Sequence, residues 1–317
     1  MPRLEGLEYK ELYGLSVDKE NSELFFNDAK HLYINKNNGS KYISVTTLIG
    51  EYENKFDEYF WSRYKALETF LDGDVWSNVR IKLQNTKKWN PELLTIYNIK
   101  EEDFNKEVNK IISEWAENRD EACEHGSWVH SLMENTFYGN TQFDFSKYGY
   151  AEASGLYDCP RNHYELDLEN GVYPEFLMSW QSEDGVLKIA GQADLIIKQG
   201  DDIICLDWKT NKEIKKRSFY DKTKKDVTRM KYPLNNFMDV NYYHYQLQLS
   251  TYAWILQQRN PNFNIKGLSI IHIDRQGKQT EYPLDYCKND VERMIKHYHH
   301  QLIIQQQLDR IEPYKIG

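Results

Sequence analysis

Long hydrophobic runs are missing from this 317-residue sequence, and none approaches the roughly 18 residues that cross a membrane. A soluble protein without a membrane partner is therefore expected. The first residues contain no apolar segment typical of a secretory leader, and their many acids are unlike a mitochondrial transit peptide. The four cysteines include no C-x-x-C pair, so neither a zinc knuckle nor a disulfide framework is visible in the sequence. We expect reduced thiols in a cytoplasmic protein.

Basic side chains are also outnumbered, because 40 Lys and Arg residues stand against 49 Asp and Glu residues, which gives a formal net charge of -9. By itself this balance argues against a polyanionic partner. The cations are unevenly spread, however, since residues 209–231 hold ten basic side chains against three acids. Such a basic segment can act as an electrostatic footprint for nucleic acid, and a solvated loop is an equally acceptable interpretation. The ten are Lys209, Lys212, Lys215, Lys216, Arg217, Lys222, Lys224, Lys225, Arg229 and Lys231.

Hydrophobic periodicity predicts an α/β or α+β fold. Residues 24–49 alternate like strands around a turn at 36–39, and residues 172–180 and 187–209 are also predicted strands. Helices are predicted within 51–140, with a break at His125-Gly126, and over 241–259 and 286–307. The sequence has no Gly/Pro/Ser-rich linker. We therefore expect one compact domain, with an N-terminal strand pair and helical region (1–140) continuous with a core (141–317).

A hairpin is predicted around Gly200-Asp201, because two apolar runs flank this turn dipeptide. The candidate catalytic residues lie on its two strands. A turn centred there brings Asp194 opposite Asp207, with Cβ atoms roughly 5 Å apart. Lys209 shares the face of Asp207, since side chains alternate along a strand. Two close carboxylates among apolar neighbours are costly to ionise, and a divalent cation removes that cost. We predict a Mg²⁺ or Mn²⁺ site in preference to a buried salt-bridge cluster.

The order of an aspartate, a short hairpin and Asp-x-Lys resembles the motif of the PD-(D/E)XK nuclease superfamily. The segment from Gln248 to Tyr252 is similar to the Q-x-x-x-Y helix of its RecB-like branch. The segment ending at His130 resembles the upstream helix of that branch, whose histidine ligates metal. Glu175 falls where the branch often has a strand glutamate. Ser44-Val45-Thr46-Thr47 resembles a motif of the mitochondrial genome maintenance exonuclease and its phage relatives.

This resemblance implies a restriction-endonuclease-like core, in which a central mixed sheet is flanked by helices and carries a helical N-terminal elaboration. It implies metal-dependent hydrolysis of DNA phosphodiesters by an exonuclease that prefers single strands or free ends and leaves 5′-phosphates. DNA repair and recombination are the corresponding processes. A structure-specific or flap endonuclease with the same site and a catalytically silent nucleic-acid-binding protein are the alternatives.

Roles for single residues also follow from the resemblance. Asp194, Asp207 and Lys209 are the implied catalytic residues, and His130, Asp194, Asp207 and the Trp208 carbonyl are the implied metal ligands. A lysine between carboxylates normally stays protonated, so an electrostatic role for Lys209 is favoured over that of a general base. Substrate binding is implied for Gln248, Tyr252, Ser44, Thr46 and Thr47, and proposed for Lys215, Lys216 and Arg217, while Glu175 is expected to support the active site.

Ordinary structural interpretations remain open for several of these residues. A single helical histidine such as His130 is commonly structural, and Gln248 and Tyr252 share a helix face on which they could simply pack. The hydroxyls of the 44–47 motif could cap a helix beginning near Leu48 or bind phosphate. The tyrosines at 242, 243 and 245 could pack or stack on bases. Some RecB-like nucleases hold an iron–sulfur cluster through C-terminal cysteines, but only Cys287 lies there, so no cluster is expected.

Overall fold

The structure is a computed structural model that describes residues 19–20, 23–27, 30–137, 168, 170–221 and 226–311. The chain divides into two compact units. Unit 1 comprises Met1–Glu53, His125–Tyr220 and Val227–Gly317, and unit 2 comprises Asn54–Glu124 and Asp221–Asp226. The predicted domain boundary near residue 140 lies outside the described residues, as do Cys159, Lys222, Lys224 and Lys225.

The described chain runs from four strands through five helices to five further strands, and then through a helix and two strands to a final helix. The strands are β1 (Lys19–Glu20), β2 (Leu24–Asn27), β3 (Leu32–Asn35), β4 (Lys41–Ser44), β5 (Gly171–Gln181), β6 (Lys188–Gln199), β7 (Asp202–Lys209), β8 (Tyr220–Asp221), β9 (Asp226–Val227), β10 (Asn264–Ile273) and β11 (Gln279–Leu284). The helices are α1 (Val45–Gly50), α2 (Glu58–Phe70), α3 (Gly73–Thr86), α4 (Glu92–Ile96), α5 (Glu101–Phe137), α6 (Asn241–Arg259) and α7 (Lys288–Ile311). Within the described ranges, no helix has the length and apolarity to span a membrane.

A mixed sheet forms the centre of unit 1. Its strand order is β1-β2-β3-β4-β6-β7-β10-β11, and β5 pairs with β6 outside this path. The β4–β6 and β7–β10 pairs are parallel, while the other pairs in the sheet are antiparallel. The predicted α/β class, with a central mixed sheet flanked by helices, is confirmed.

Strand β6 lies at a fork in this sheet. One of its edges pairs with β5 from Lys188 to Lys198. The other edge pairs with β4 only at Ile189 and Ala190, and with β7 only from Leu195 to Gln199. Residues 191–194 therefore lie where β4 has left the sheet and β7 has not yet joined it. A fork leaves room for side chains and ligands that a continuous ladder would exclude.

The β6–β7 hairpin has the predicted register. Gln199 pairs with Asp202, and the ladder continues outward to Leu195 opposite Leu206. Gly200 occupies the turn with a φ of 61°, a left-handed conformation that glycine adopts without steric cost. The next opposed positions are Asp194 and Asp207, so the local turn brings the two carboxylates to the end of the ladder.

Helices cover both faces of the hairpin. On one face, Ile203 and Cys205 of β7 belong to a buried cluster with Leu249 and Ala253 of α6. Helix α6 contacts β5, β6, β7, β10, α1 and α7, and its residues from Gln246 to Leu256 are all buried. On the other face, a second cluster joins Trp128, Val129 and Leu132 of α5 to Leu195 and Trp208.

The predicted helix break at His125-Gly126 is wrong, because α5 continues without interruption through both residues. A glycine inside a helix costs about 1 kcal/mol relative to alanine, and tertiary packing overrides such a cost. An added Cβ at Gly126 would lie 3.4 Å from Thr210 Oγ1, an ordinary van der Waals distance, so the helix packs beside the end of β7 without requiring a glycine there. The adjacent Trp128 and Val129 are buried against the sheet.

Unit 2 is helical and has its own hydrophobic core. Helices α2 and α3 pack together, and Tyr64 contacts Trp76 with ring centroids 4.8 Å apart. The Phe104 ring, from the first part of α5, stacks on Trp89 at 5.2 Å. The predicted helical spacing of Phe104, Val108 and Ile111 is confirmed, because all three side chains are buried in this core.

Candidate metal centre

Three neighbouring strands each contribute one buried carboxylate at the fork. The β5–β6 register pairs Pro174 with Leu195 and Phe176 with Ala193, so Glu175 lies opposite Asp194. Asp207 of β7 lies next to Asp194 on the other edge, directly beyond the end of the ladder. Their exposed fractions are only 7%, 7% and 0% for Glu175, Asp194 and Asp207. Burial of three acids requires compensating cations or hydrogen bonds.

His130 of α5 lies between two of these carboxylates. Its Nδ1 atom is 3.4 Å from Asp194 Oδ1 and 3.6 Å from Glu175 Oε1. Burial alone would lower the pKa of His130, but Asp194 and Glu175 outweigh that effect and hold it well above its usual value. Potential ligand atoms of His130, Glu175 and Asp194 all lie within 4.8 Å of one another. Two carboxylates and an imidazole at this separation fit a divalent cation.

Asp207 forms an ion pair at the end of its own strand and accepts a hydrogen bond from α6. The ammonium nitrogen of Lys209 lies 2.5 Å from Asp207 Oδ2, and Gln248 Nε2 donates a hydrogen bond of 3.4 Å to Oδ1. Burial and the Asp194 charge raise the pKa of Asp207 to about 7, although Lys209 opposes this shift. Ionisation of Asp207 is therefore less favourable in this site than in water.

Asp194 has the opposite pKa shift. Burial alone would raise its pKa, but the charges of His130 and Lys209 and the backbone N–H of Trp208 lower it below the usual value. That N–H donates to Asp194 Oδ2 at 2.7 Å. Burial would also lower the pKa of Lys209, but Asp207 and Asp194 raise it above the ordinary value, so Lys209 is a permanent ammonium ion.

Glu175 has a strained backbone. Its φ of 51° is in the left-handed region, which costs a non-glycine residue on the order of 1–3 kcal/mol. The Gln192 amide donates a hydrogen bond to Glu175 Oε2 and holds the carboxylate toward His130. Gln192 was not a predicted site residue, although it lies two positions before Asp194. Strain of this kind is common at functional sites, where the surrounding structure maintains it.

The two predicted α6 residues meet at the same site. Gln248 Nε2 donates to Tyr252 Oη at 3.1 Å as well as to Asp207. Burial raises the pKa of Tyr252 well above its ordinary value, so its hydroxyl stays neutral. Tyr245 was named from the sequence only as a tyrosine that could pack or stack, yet its ring centroid lies 4.8 Å from Lys209 Nζ. The spacing of 245, 248 and 252 is the sequence signal for one helix face.

Gly191 makes room for Tyr252 at the fork. A Cβ added to Gly191 would lie 2.4 Å from Tyr252 Cε1 and 3.2 Å from Val45 Cγ2. We expect Gly191→Ala to destabilise the fold by about 1–3 kcal/mol, because the buried ring has to move. The measurement is the free energy of unfolding in urea.

The matched control for this substitution is Gly267→Ala, because the nearest atom to its added Cβ would be Ile204 Cγ2 at 3.7 Å. We expect this variant to be unchanged or up to about 1 kcal/mol more stable. In a Tyr252→Leu background, Gly191→Ala should cost clearly less, since the two positions are in contact. Equal costs in both backgrounds would contradict the close packing as the cause.

The 44–47 motif has a structural role in this fold. Ser44 is the N-cap of α1, and its Oγ accepts from Thr47 N at 3.0 Å and contacts the hydroxyls of both Thr46 and Thr47. The helix begins at Val45, three residues before the expected Leu48. Ser44 pairs with Ala190, at the end of the fork away from Asp194. The alternative of phosphate binding by this motif stays a prediction.

The described start of the basic segment is exposed and attached to α6. Lys215, Lys216 and Arg217 are all exposed. The Lys215 N–H donates to Asn241 Oδ1 at 2.8 Å, at the first residue of α6. Helix α6 also carries Tyr245 and Gln248, which contact Lys209 and Asp207. The basic segment is thus connected through one helix to the acidic centre.

Comparisons with known proteins add little to this geometry. No protein-family model matches the chain, and no curated protein has a significantly similar sequence. The crystal structure of SSO0001 has 16% identity and a TM-score of 0.31, covering 61% of this chain and 68% of that chain. A protein from Eubacterium rectale, provisionally named as an exonuclease, has 13% identity and a TM-score of 0.31, covering 62% of this chain and 69% of that chain. These similarities are too low to support a functional assignment.

Proposed function

We propose that the protein is a nuclease of the PD-(D/E)XK type that hydrolyses DNA phosphodiesters with Mg²⁺ or Mn²⁺. The observation that carries this proposal is the buried pair of Asp194 and Asp207 at the fork, with the half-buried Lys209 beside Asp207 and His130 beside Asp194. The experiment that tests it is cleavage of DNA by the purified protein with Mn²⁺, with Mg²⁺ and with EDTA. Failure to cleave DNA with either metal ion would overturn the proposal.

The residues divide into metal ligands and charge-stabilising groups. Asp194, Asp207, Glu175 and His130 would hold the ion, which supplies Lewis-acid polarisation of the phosphate and a more acidic water when bound. Lys209 stabilises negative charge that develops on the phosphate, because its two carboxylate neighbours keep it protonated. Asp207 orients the Lys209 ammonium, while the Trp208 N–H orients Asp194.

A purely structural role for the acidic group is the weaker alternative. Buried ion pairs seldom stabilise a fold more than apolar residues of similar volume, because desolvation offsets the Coulomb attraction. The group also includes a third buried acid on a strained backbone, which packing alone does not require. A divalent cation accounts for all three carboxylates, since it removes their mutual repulsion.

We propose that the enzyme acts from the ends of single-stranded DNA, as the family resemblance suggests. A linear single strand should be degraded at least about tenfold faster than the same sequence as a covalently closed circle, because only the linear form has ends. Loss of substrate from both forms is followed on a denaturing gel in Mn²⁺. Equal rates would contradict the exonuclease mode and favour the endonuclease alternative.

A further inference from the structure

Aromatic and polar side chains continue outward from Lys209 across the ends of β7 and β10. The Lys209 ammonium lies 4.8 Å from the Tyr245 ring centroid, and the Tyr245 hydroxyl donates to Asn211 Oδ1. The backbone carbonyl of Asn211 accepts a hydrogen bond of 2.6 Å from His272 Nε2. His272 lies opposite Lys209 in the parallel β7–β10 register. These contacts form a continuous surface that begins at the catalytic lysine.

The surface continues to a second lysine. The Tyr282 ring of β11 lies edge-on to His272, with centroids 6.4 Å apart. Lys216 Nζ lies 5.2 Å from the Tyr282 centroid and 4.8 Å from that of Tyr242. Tyr242 precedes Tyr245 by three residues on α6, so both rings share one helix face. We call Tyr245, His272, Tyr282 and Tyr242 the aromatic row.

The chemistry of this row matches unpaired nucleotides. The three tyrosines of the row pack against the hydrophobic core on one side. All four rings are only partly buried and Lys216 is exposed, so part of each ring and the lysine remain accessible to a ligand. Aromatic side chains bind bases by stacking, and a lysine held beside them supplies a cation for the phosphate. A duplex keeps its bases stacked inside, so these rings are useful only to a single strand. In a protein with a net charge of -9, two lysines along one row also counter the general repulsion of a polyanion.

We propose that the aromatic row binds unpaired nucleotides of the strand adjacent to the bond cleaved at Asp194 and Asp207. Its role beside the cleaved bond rests on the proposed nuclease function. Strand binding itself does not require cleavage, so the row is tested in EDTA, where the acidic centre cannot act. The probe is a fluorescent oligothymidylate, compared with a duplex of the same length.

The principal variant is Tyr242→Leu/Tyr282→Leu, which removes two rings while keeping an apolar side chain at each position and the same net charge. Its affinity for the single strand should fall at least about tenfold, as expected for loss of stacking, while affinity for the duplex should change less than about twofold. A second variant, Lys216→Gln, should lower the log–log salt slope for single-strand binding by about 0.7. Thermal unfolding of both variants verifies that they are folded.

Matched controls come from the same unit. Tyr232→Leu changes a tyrosine that is 71% exposed and lies outside the row. Lys198→Gln removes another lysine near a ring, since its Nζ lies 5.9 Å from the Phe263 centroid. Neither control should alter single-strand affinity more than about twofold. Unchanged affinity and salt slope in both row variants would overturn the proposal, as would equal losses on single strand and duplex.

Failure of the nuclease proposal gives a different result. If the parent protein cuts no DNA, but the row variants lose single-strand binding, the result supports the aromatic row as a binding site and refutes the proposed reaction. If the parent protein cuts DNA, and the row variants bind and cut single strands normally, the result refutes the row as a binding site and supports the reaction.

Discussion

Asp207→Asn should lower the rate of Mn²⁺-dependent DNA cleavage at least about a thousandfold. A metal ion supplies several kcal/mol of charge stabilisation, and each 1.36 kcal/mol is about a factor of ten in rate. The neutral amide weakens the ion site and removes the partner that orients Lys209, whose ammonium lies 2.5 Å from Asp207 Oδ2. Asp194→Asn and Lys209→Met should have losses of similar size. The measurement is the single-turnover rate of oligonucleotide cleavage.

The matched control for these variants is Asp184→Asn. Asp184 is an exposed carboxylate that pairs with His299 Nε2 at 2.9 Å, so its substitution causes the same charge change outside the acidic centre. We expect its cleavage rate to stay within about twofold of the parent. Circular dichroism and thermal unfolding verify that each variant is folded. Full activity of folded Asp207→Asn would exclude the proposed centre.

The affinity of the protein for Mn²⁺ should rise about a hundredfold between pH 5.5 and pH 6.5. Both His130 and Asp207 have raised pKa values, about 7 for Asp207 and well above 6.5 for His130. Below these values each group binds a proton that the metal ion must displace, and each displaced proton changes the affinity tenfold per pH unit. Above about pH 7 Asp207 is already ionised in the metal-free protein, so the dependence should become shallower.

His130→Gln should reduce this pH dependence to about tenfold per unit, because one of the two displaced protons is removed. His299→Gln is the matched control, since His299 pairs with the exposed Asp184, and the dependence should stay unchanged. Isothermal titration calorimetry in two buffers with different ionisation enthalpies gives both the affinity and the number of released protons. A Mn²⁺ affinity independent of pH over this range would show that these groups do not hold the ion.

Several elements could be predicted because their causes are local. The bounds of α6 agree with the predicted helix 241–259, and the turn before β4 lies at the predicted residues 36–39. Strands β10 and β11 lie outside the predicted elements, although β10 supplies the parallel neighbour of β7. Parallel pairing joins residues that are distant in sequence, so no local turn sequence predicts it. The predicted break at Gly126 is wrong for a related reason, since the sheet residues against which Trp128 and Val129 of this helix pack are distant in sequence.

The sequence by itself determined the pair of Asp194 and Asp207 and the side of the sheet on which Lys209 lies. A two-residue turn sets the hairpin register, and strand alternation sets the face, so both follow from short-range geometry. The family resemblance implied roles for His130 and Glu175, but only the tertiary structure decided that both lie beside Asp194. Their approach depends on the packing of α5 against the sheet and on the β5–β6 register at the fork. Such long-range contacts are determined by the burial of whole elements, which a local pattern does not encode.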